Sequence, residues 1–375
     1  MQCRKTALAL ALASLASAAH ARLPADVQIE RLSPTRIAVV WSGALVPAEK
    51  LDVGLAPAPG KPVDGATLRD DVAGSAGRVE LEHASGVRPY VWIGDNKGNE
   101  TTLGERVLPL QGGVNFRDLG GYRTDDGRSV RWGRLYRSGV MADLTDSDYA
   151  YLQRLGITAI CDLRDSRERS HSPTQAGRIA RSGRYIAWDY QQDFDMKAFA
   201  GAFAMGGDPQ ETALRLMAAF YRQMPAAFAA RYREAFDVLK QGDGLLFNCS
   251  AGKDRTGLLA ALVLTALGVA PDVVVDDYAM SQRVPSLQRL RTRMDASATQ
   301  DLGMSALSRL PEPALRALMG TDPMYLSAAF DQIRADHGSI DAYLEQQLGV
   351  GAADRARLRA LYLEPAPASA GTAAR

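Results

Sequence analysis

The stretch LLFNCSAGKDRTG, Leu245 to Gly257, places a cysteine, Cys249, six residues before an arginine, Arg255. Apolar residues precede the cysteine, as in a buried strand, and the run GLLAALVLTALG that follows the arginine is apolar almost all round, as in a buried helix. We therefore predict a strand that ends at Asn248, a loop from Cys249 to Arg255, and a helix that starts near Thr256.

This predicted loop has the properties of an anion site. A loop at a helix N-terminus presents backbone N–H groups to one concavity, and the helix dipole adds positive potential there. Arg255 can hold two phosphate oxygens, and the same field favours a Cys249 thiolate placed for attack on phosphorus. The predicted chemistry is a phosphocysteine intermediate followed by hydrolysis, with no metal and no cofactor. The remaining residues predicted to contact the phosphate are Ser250, Ala251, Gly252, Lys253 and Thr256.

The surrounding chain from residue 112 onward alternates short apolar runs with longer helical stretches. ITAICDL (Ile157 to Leu163) and GLLFNC (Gly244 to Cys249) are typical of buried strands, and LTDSDYAYLQRLG and the segment Glu211 to Lys240 are typical of helices. We predict an α/β arrangement with a central, mostly parallel sheet flanked by helices. The segment Phe194 to Ala230 is either a mobile lid or a set of core helices, and its composition favours the core.

The first part of the chain has a different sequence pattern. From about Leu23 to Leu110, short alternating runs such as VQIERL, TRIAVVWSG, LDVGLAP, GRVELEHA, RPYVWIGD and ERVLPL are separated by Pro, Gly, Asp and Asn clusters. This pattern predicts a small all-β sandwich of the immunoglobulin or fibronectin kind. With 375 residues, 46% of them hydrophobic, the chain is long enough for two such cores.

The N-terminus predicts export. Arg4 and Lys5 precede an Ala/Leu run, and a small-x-small site follows at Ala19, His20 and Ala21, as in a secretory signal peptide. The run is too short to span a bilayer, so we expect no transmembrane segment after signal removal and a periplasmic or secreted protein. The predicted organisation is a signal peptide at 1–21, a β-sandwich at 22–110, a tyrosine-phosphatase-like domain at 111–365 and a disordered tail at 366–375. The formal net charge of +1 gives no indication of a nucleic-acid partner.

The loop motif SAGKDRTG, with GGVNFRDLGGY, GRLYRSG and AICDLRDSRER, resembles the bacterial tyrosine-phosphatase family of the mycobacterial tyrosine phosphatase B type. The resemblance covers residues 112–363, about two-thirds of the chain. It implies an α/β cysteine-phosphatase fold. It also implies that Cys249 is the nucleophile, that Arg255 binds phosphate, and that Lys253 and Asp254 occupy the loop interior. It also implies phosphoproteins, phosphoinositides or inositol phosphates as substrates.

Asn248 departs from the pattern of cysteine phosphatases, in which a histidine precedes the nucleophile. Asparagine can keep the loop hydrogen bonds but cannot become cationic, so it would stabilise the thiolate less. We favour an active phosphatase, because the loop amides and Arg255 supply most of the anion stabilisation. The alternatives are a weak or silent phosphate-binding or adhesion module and a phytase-like inositol phosphatase.

Expulsion of the leaving group requires a general acid, for which the sequence offers two candidates. Asp254 lies inside the loop, where a bound phosphate would keep its carboxyl group protonated. Asp162 lies at the end of a predicted strand and could reach the same cleft, or it could pair with Arg164 or Arg137 in a structural role. We favour Asp254. Lys253 would either meet a second phosphate or stand solvated on the loop rim.

Two further groups are predicted to support the site. Asn115, Arg117 and Asp118 resemble a bracket that hydrogen-bonds the loop. Cys161 ends an apolar run on a strand expected near that of Cys249, and neighbouring strands could bring the two thiols within the ~4.4–6.8 Å Cα separation of a disulfide. Such a bridge would protect the nucleophile from irreversible oxidation. The alternative is a buried Cys161 that points away from the cleft.

Overall fold

The computed structural model describes residues 23, 27–42, 50–95, 98–192, 196–284 and 310–364. The predicted signal peptide and the predicted disordered tail lie outside these ranges, so both stay predictions. None of the helices in these ranges is both long and apolar enough to cross a membrane.

The first part of the chain forms two antiparallel sheets that share one apolar cluster. The three-stranded sheet has the order β1-β2-β5 and the four-stranded sheet the order β4-β3-β6-β7. Side chains from both sheets, including Val39, Trp41, Val53 and Ile93, pack in this cluster. The strands are β1 (Gln28–Ser33), β2 (Arg36–Val40), β3 (Lys50–Ala56), β4 (Asp64–Ala73), β5 (Arg78–Glu82), β6 (Tyr90–Asp95) and β7 (Glu100–Gly104).

One predicted strand of this part does not form. The run ERVLPL contributes only an isolated bridge between Val107 and Arg117. Leu108 and Leu110 instead pack with Phe116 and Tyr136 in the core of the following domain. Leu108 and Leu110 are therefore apolar because they are buried against the neighbouring domain, and not because the run pairs as a strand.

The second part is built on a five-stranded sheet of order β11-β10-β12-β9-β8. β9 to β12 run parallel, and β8 pairs antiparallel to β9 at the edge. This confirms the predicted mostly parallel sheet. The strands are β8 (Arg117–Asp118), β9 (Leu135–Ser138), β10 (Ala159–Asp162), β11 (Arg184–Ala187) and β12 (Leu245–Asn248).

Helices cover both faces of this sheet, and the predicted helices are confirmed. Two short 3-10 turns lie at Gly74–Ala76 and Ser281–Arg283. The helices of the described ranges are α1 (Asp146–Leu152), α2 (Ser166–His171), α3 (Ala176–Ile179), α4 (Met196–Ala204), α5 (Pro209–Leu239), α6 (Arg255–Leu267), α7 (Pro271–Met280), α8 (Glu312–Met319), α9 (Pro323–His337), α10 (Ile340–Gln346) and α11 (Ala352–Tyr362).

The helix α6 after the loop is the most buried of them. Of its residues only Thr265 is partly exposed, because the helix has apolar or small side chains on every face. It ends at Gly268, whose φ of 88° is the left-handed conformation that glycine adopts without strain. α5 packs beside it and buries Tyr221, Met224 and Phe228, which supports the core interpretation of that segment.

Candidate active site

The loop between β12 and α6 lies where the carboxyl ends of the parallel strands meet. It packs against the exit of β9, where the N–H of Val140 donates to the carbonyl of Ser250 at 2.8 Å. Gly252 has a φ of 68°, and a Cβ there would lie 2.5 Å from the backbone of Ser138 and Gly139. Glycine is therefore required at this point of the loop by both conformation and space.

The backbone N–H groups of the loop have no acceptor among the residues that the structure describes. None of the six N–H groups from Ser250 to Arg255 donates a hydrogen bond within the described ranges. They lie at the N-terminus of α6, where a helix attracts negative charge. Cys249, only 2% exposed, stands at the start of this group of donors. The arrangement is that of an anion site directly above a thiol.

Arg255 is held by Glu168, a residue without a predicted role. Nη1 and Nη2 of Arg255 each donate to one Glu168 oxygen at 2.6 Å. The hydroxyl of Ser250 donates to the same carboxylate. This contact uses the end of the guanidinium, formed by Nη1 and Nη2. The side edge, formed by Nε–H and the second Nη2–H, does not face Glu168. Nε makes no hydrogen bond to the described residues. That edge can bind two oxygens of a phosphate.

The position of Glu168 has a local cause. Asp165 caps α2, its side chain accepts from the N–H of Glu168, and Glu168 accepts from the N–H of Asp165, which is a capping box. Burial alone would raise the pKa of Glu168, but the hydrogen bonds and charge of Arg255 outweigh it and lower this pKa to about 2. Glu168 is therefore a carboxylate at any working pH.

The predicted bracket around the loop is present in two of its three residues. Asn115 Nδ2 donates to the carbonyls of Gly252 at 2.9 Å and Ala251 at 3.2 Å. Arg117 holds the Asn115 side-chain oxygen from behind. Asn115 has a φ of 50°, a left-handed conformation that asparagine tolerates better than most residues. The carbonyls of the loop are thus tied down while its N–H groups stay open.

A buried ion cluster supports this bracket. Asp277 on α7 accepts from Arg137 Nη1 at 2.6 Å and from Arg117 Nε at 3.3 Å. Arg137 also donates to the carbonyl of Gly252 at 2.8 Å. Burial would raise the pKa of Asp277, but the two guanidinium groups hold it well below its usual range. Arg137 and Asp277 are therefore structural supports of the loop.

Asp118 does not belong to the bracket, which corrects that prediction. Its carboxylate turns to the other side of β8 and accepts from Arg88 Nη1 at 2.7 Å. It also accepts from the N–H groups of Gly120 and Gly133 at 2.7 Å. Alternate residues of a strand point to opposite faces, so Arg117 and Asp118 serve different partners.

Asp254 and Lys253 lie at the far end of the loop. Asp254 Oδ1 accepts from the hydroxyl of Tyr221 at 2.7 Å and from Lys253 Nζ at 3.1 Å. Lys253 is 4% exposed, and its ammonium also donates at 3.0 Å to the carbonyls of Leu318 and Gly320 at the C-terminal end of α8. Neither prediction for Lys253 holds, because an ammonium with three acceptors under a helix end neither stands on the rim nor faces a second phosphate.

Asp162 is enclosed behind the loop. Its carboxylate accepts from Arg164 Nε at 2.9 Å and Nη2 at 2.7 Å, and from the hydroxyl of Tyr185 at 2.8 Å. Both Asp162 and Arg164 have no exposed surface. A carboxylate with these donors cannot reach a leaving group, so the structural interpretation of Asp162 holds and its catalytic role does not. Its partner is Arg164 and not Arg137.

Asn248 joins this cluster to the loop. Its Nδ2 donates to Asp162 Oδ1 at 3.2 Å, across the β10–β12 pair in which the two residues stand opposite each other. Its Oδ1 is buried and has no hydrogen-bond partner in the described ranges. The same is true of the Thr256 hydroxyl at the start of α6. Asn248 thus preserves a link to the sheet at the position before the nucleophile.

Cys161 and Cys249 are both free and buried, so of the two alternatives for Cys161 the disulfide bridge does not form in this structure. Cys161 on β10 stands opposite Phe247 on β12, and Cys249 follows Phe247 by two residues along the direction of β12. Strand spacing and rise put the two Cα atoms about 8 Å apart, beyond the range that a disulfide spans without backbone movement. Burial raises the pKa of Cys161 to about 12, which makes it a structural thiol.

The comparisons with known proteins agree with this geometry. Residues 108–364 match the model of the tyrosine phosphatase family. A protein of Cupriavidus necator, provisionally named a tyrosine-protein phosphatase, is 37% identical over 258 residues, covering 66% of this chain and 85% of that protein.

Two further relatives are similar over most of the same region. The triple specificity protein phosphatase PtpB of Mycobacterium tuberculosis is 31% identical over 282 residues, covering 68% of this chain and 99% of that protein. A tyrosine-protein phosphatase of Nostoc commune is 28% identical over 222 residues, covering 57% of this chain and 65% of that protein. The chain belongs to the tyrosine phosphatase family and is a phosphoric monoester hydrolase.

Proposed function

We propose that this phosphatase is an exported, cysteine-dependent enzyme that hydrolyses phosphotyrosine through a phosphocysteine intermediate. The observation that carries this proposal is the group of unpaired loop N–H donors above Cys249, completed by the free edge of Arg255. The partial positive charge of these donors and the charge of Arg255 complement the three non-bridging oxygens of a phosphoryl group.

In the first step the Cys249 thiolate attacks phosphorus. The S–P bond forms, the P–O bond to the leaving group breaks, and its electron pair goes to the leaving oxygen. Asp254 gives that oxygen a proton, since its carboxyl group is partly open to solvent, whereas Asp162 is enclosed. The loop N–H groups and Arg255 stabilise the charge on the equatorial oxygens.

In the second step water attacks phosphorus in the phosphocysteine. The S–P bond breaks and returns its electron pair to sulfur, while the Asp254 carboxylate accepts a proton from the water. Inorganic phosphate then leaves, and both groups are restored to their starting forms. The steps are balanced by this chain, the substrate and water alone.

The experiment that tests this mechanism is hydrolysis of p-nitrophenyl phosphate by the full chain and by Cys249→Ser. We expect the variant to lose at least about 10³-fold in turnover, because a serine hydroxyl is a far weaker nucleophile, while it still binds phosphate. Cys161→Ser is the matched control, since that buried thiol belongs to β10 and not to the loop, and it should keep its turnover. Wild-type rates in Cys249→Ser, or complete inhibition by a metal chelator, would overturn the mechanism.

Substrate range and location are parts of the same proposal. The relative PtpB is named for triple specificity, which supports testing phosphoserine/threonine peptides and phosphoinositides beside phosphotyrosine peptides. Inositol phosphates in the same panel test the phytase-like alternative. Export rests on the basic start, apolar run and small-x-small site at the N-terminus, and fractionation of cells that express the full chain tests it.

The two N-terminal sheets are proposed to form a sandwich of the immunoglobulin or fibronectin kind, with the domain bounds predicted above. Two antiparallel sheets with one shared apolar cluster support this. The rival proposal of a silent phosphate-binding or adhesion module is favoured by Asn248, whose side chain leaves a buried oxygen unpaired. Phosphate binding without turnover of any aryl phosphate would establish the rival.

A further inference from the structure

A chain of buried tyrosines leads to the carboxylate of Asp254. Tyr221 on α5, Tyr278 on α7 and Tyr325 on α9 have no exposed surface. The ring of Tyr221 lies 6.0 Å from that of Tyr278, edge to face, and 5.6 Å from that of Tyr325. Three helices therefore fix the position of the Tyr221 ring from different sides.

The hydroxyl groups of two of these residues form a directed chain. Tyr278 donates to the Tyr221 oxygen at 2.7 Å, and Tyr221 donates to Asp254 Oδ1 at 2.7 Å. Tyr325 is outside the chain, because its hydroxyl donates to the carbonyl of Ala317. Burial raises the pKa of Tyr221 well above its usual range, so this hydroxyl keeps its proton and stays a donor.

These contacts distinguish the two oxygens of Asp254. Oδ1 receives Tyr221 and Lys253, which come from the protein interior. Oδ2 makes no hydrogen bond to any residue that the structure describes. A carboxyl group with one oxygen saturated by donors carries its proton on the other. The Asp254 side chain is about one-fifth exposed, so part of this residue remains open to solvent or substrate.

We propose that Tyr221 is a positioning residue for proton transfer, which holds Asp254 Oδ1 so that Oδ2 carries the proton given to the leaving group. Tyr278 acts through Tyr221 by fixing the direction of its hydroxyl. This inference rests on the proposed role of Asp254 as general acid. The orientation of the Asp254 carboxyl group then depends on the packing of α5 and α7, which hold Tyr221 and Tyr278, and not on the loop alone.

The test is Tyr221→Phe, which keeps the ring in its cluster and removes one hydroxyl. Rates are measured on aryl phosphates from p-nitrophenyl phosphate, whose leaving group needs no proton, to phenyl phosphate and phosphotyrosine. We expect kcat/KM to fall about tenfold or more on the last two and less than about threefold on the first. A structural defect would instead lower all rates by the same factor.

Tyr325→Phe is the matched control. It removes a hydroxyl from the ring that packs against Tyr221 without touching the chain to Asp254, and it should leave the dependence on the leaving group unchanged. The inference is overturned if Tyr221→Phe shows wild-type rates across the series, or a loss that does not depend on the leaving group.

Asp254→Asn, measured in parallel, separates the two proposals. If Asp254→Asn shows no dependence on the leaving group, the general-acid proposal fails first. If it shows that dependence and Tyr221→Phe does not, only the positioning inference fails. The double variant should be no slower on phenyl phosphate than Asp254→Asn alone, because a missing acid cannot be misplaced. Additive losses would contradict the inference even if both single variants are slow.

Discussion

At the scale of single residues, the site differs most from expectation in how its charges are already paired. Arg255 binds Glu168 end-on, and Glu168 in turn caps α2 and accepts from Ser250. One carboxylate thus joins the loop arginine, the first loop residue after the nucleophile, and the helix after β10. It orders the guanidinium before a phosphate arrives, which lowers the entropy that binding must overcome.

The first prediction concerns Glu168→Gln. The pKa of Glu168 lies at about 2, below its ordinary value of 4.5, so its contribution to stability is complete above about pH 4.5 and is lost as pH falls toward 2. We expect the variant to be on the order of 2–3 kcal/mol less stable at pH 7, with a smaller difference at pH 3. Urea unfolding at both pH values measures this.

Glu211→Gln, an exposed glutamate in the first turn of α5, is the control and should be neutral at both pH values. A Glu168→Gln deficit that is the same at pH 7 and pH 3 would show that the charge is not what stabilises the fold.

The second prediction concerns Asn248→His. A histidine at this position would lie beside Asp162, whose carboxylate now contacts Asn248 Nδ2 and would stabilise an imidazolium next to the thiol. We expect alkylation of Cys249 by iodoacetamide to begin about one pH unit lower than in the wild type. The same histidine combined with Asp162→Asn should lose this shift. Identical alkylation profiles for wild type and Asn248→His would mean that the loop amides alone stabilise the thiolate.

At the scale of elements, the sequence predicts those whose burial is strong and one-sided. β10, β12 and α6 lie in the centre of the molecule, and their apolar runs identify them directly. β4 and β7 escape prediction because they are the edge strands of their sheet, with largely exposed or half-buried residues and no apolar alternation. A hydrophobic pattern reveals segments whose side chains are buried, and these two edge strands bury few side chains.

The same limit applies to the site. The thiol and the arginine lie in one local motif, whose spacing suffices to predict them, and the asparagine of the bracket is predicted from the resemblance of its own local motif to the family. The contacts of Glu168, Lys253 and Tyr221 join segments that are distant in sequence, so they depend on how strands and helices meet. A D-x-x-E pattern does mark Glu168 as a helix cap, but it contains no information on Arg255.

The third prediction concerns the attachment of α8 to the loop. Lys253 donates to the carbonyls of Leu318 and Gly320 at the end of this helix. Lys253→Met keeps the aliphatic stem but leaves these carbonyls without a donor, which we expect to cost about 1–3 kcal/mol of stability. Amide hydrogen exchange in α8 should become faster, and α6 should be little changed.

Lys50→Met is the matched control, since Lys50 makes an exposed ion pair with Asp71, which contributes little. Unchanged exchange in α8 of Lys253→Met would show that its packing against α5, and not the ammonium, holds it in place.

At the scale of the whole molecule, a buried arginine joins the N-terminal sheets to the phosphatase domain. Arg88, 6% exposed, precedes β6, and its Nη1 donates to Asp118 of β8 at 2.7 Å and to Tyr136 of β9 at 3.1 Å. Its Nη2 donates to the carbonyl of Glu105 in the connection between the two parts. Because Arg117, next to Asp118, supports Asn115, this junction lies one residue from the bracket of the catalytic loop.

The fourth prediction is that Arg88→Met lowers the free energy of unfolding by about 3–5 kcal/mol, because Asp118 has no exposed surface and would remain as a buried charge without its ion pair. Urea unfolding measures this, with Arg78→Met as the control. Arg78 also lies in the N-terminal sheets, but its pair with Glu30 is exposed and should be worth less than about 1 kcal/mol.

A second variant identifies the cause of that loss. If the cost of Arg88→Met comes from the unpaired carboxylate, then Asp118→Asn in the same chain should recover part of it, since a neutral amide is less costly to bury. If both arginine variants cost the same, or if Asp118→Asn adds to the loss, the junction is held by apolar packing and the ion pair contributes nothing. A recovered stability would instead mean that the buried ion pair between Arg88 and Asp118 joins the N-terminal sheets to β8.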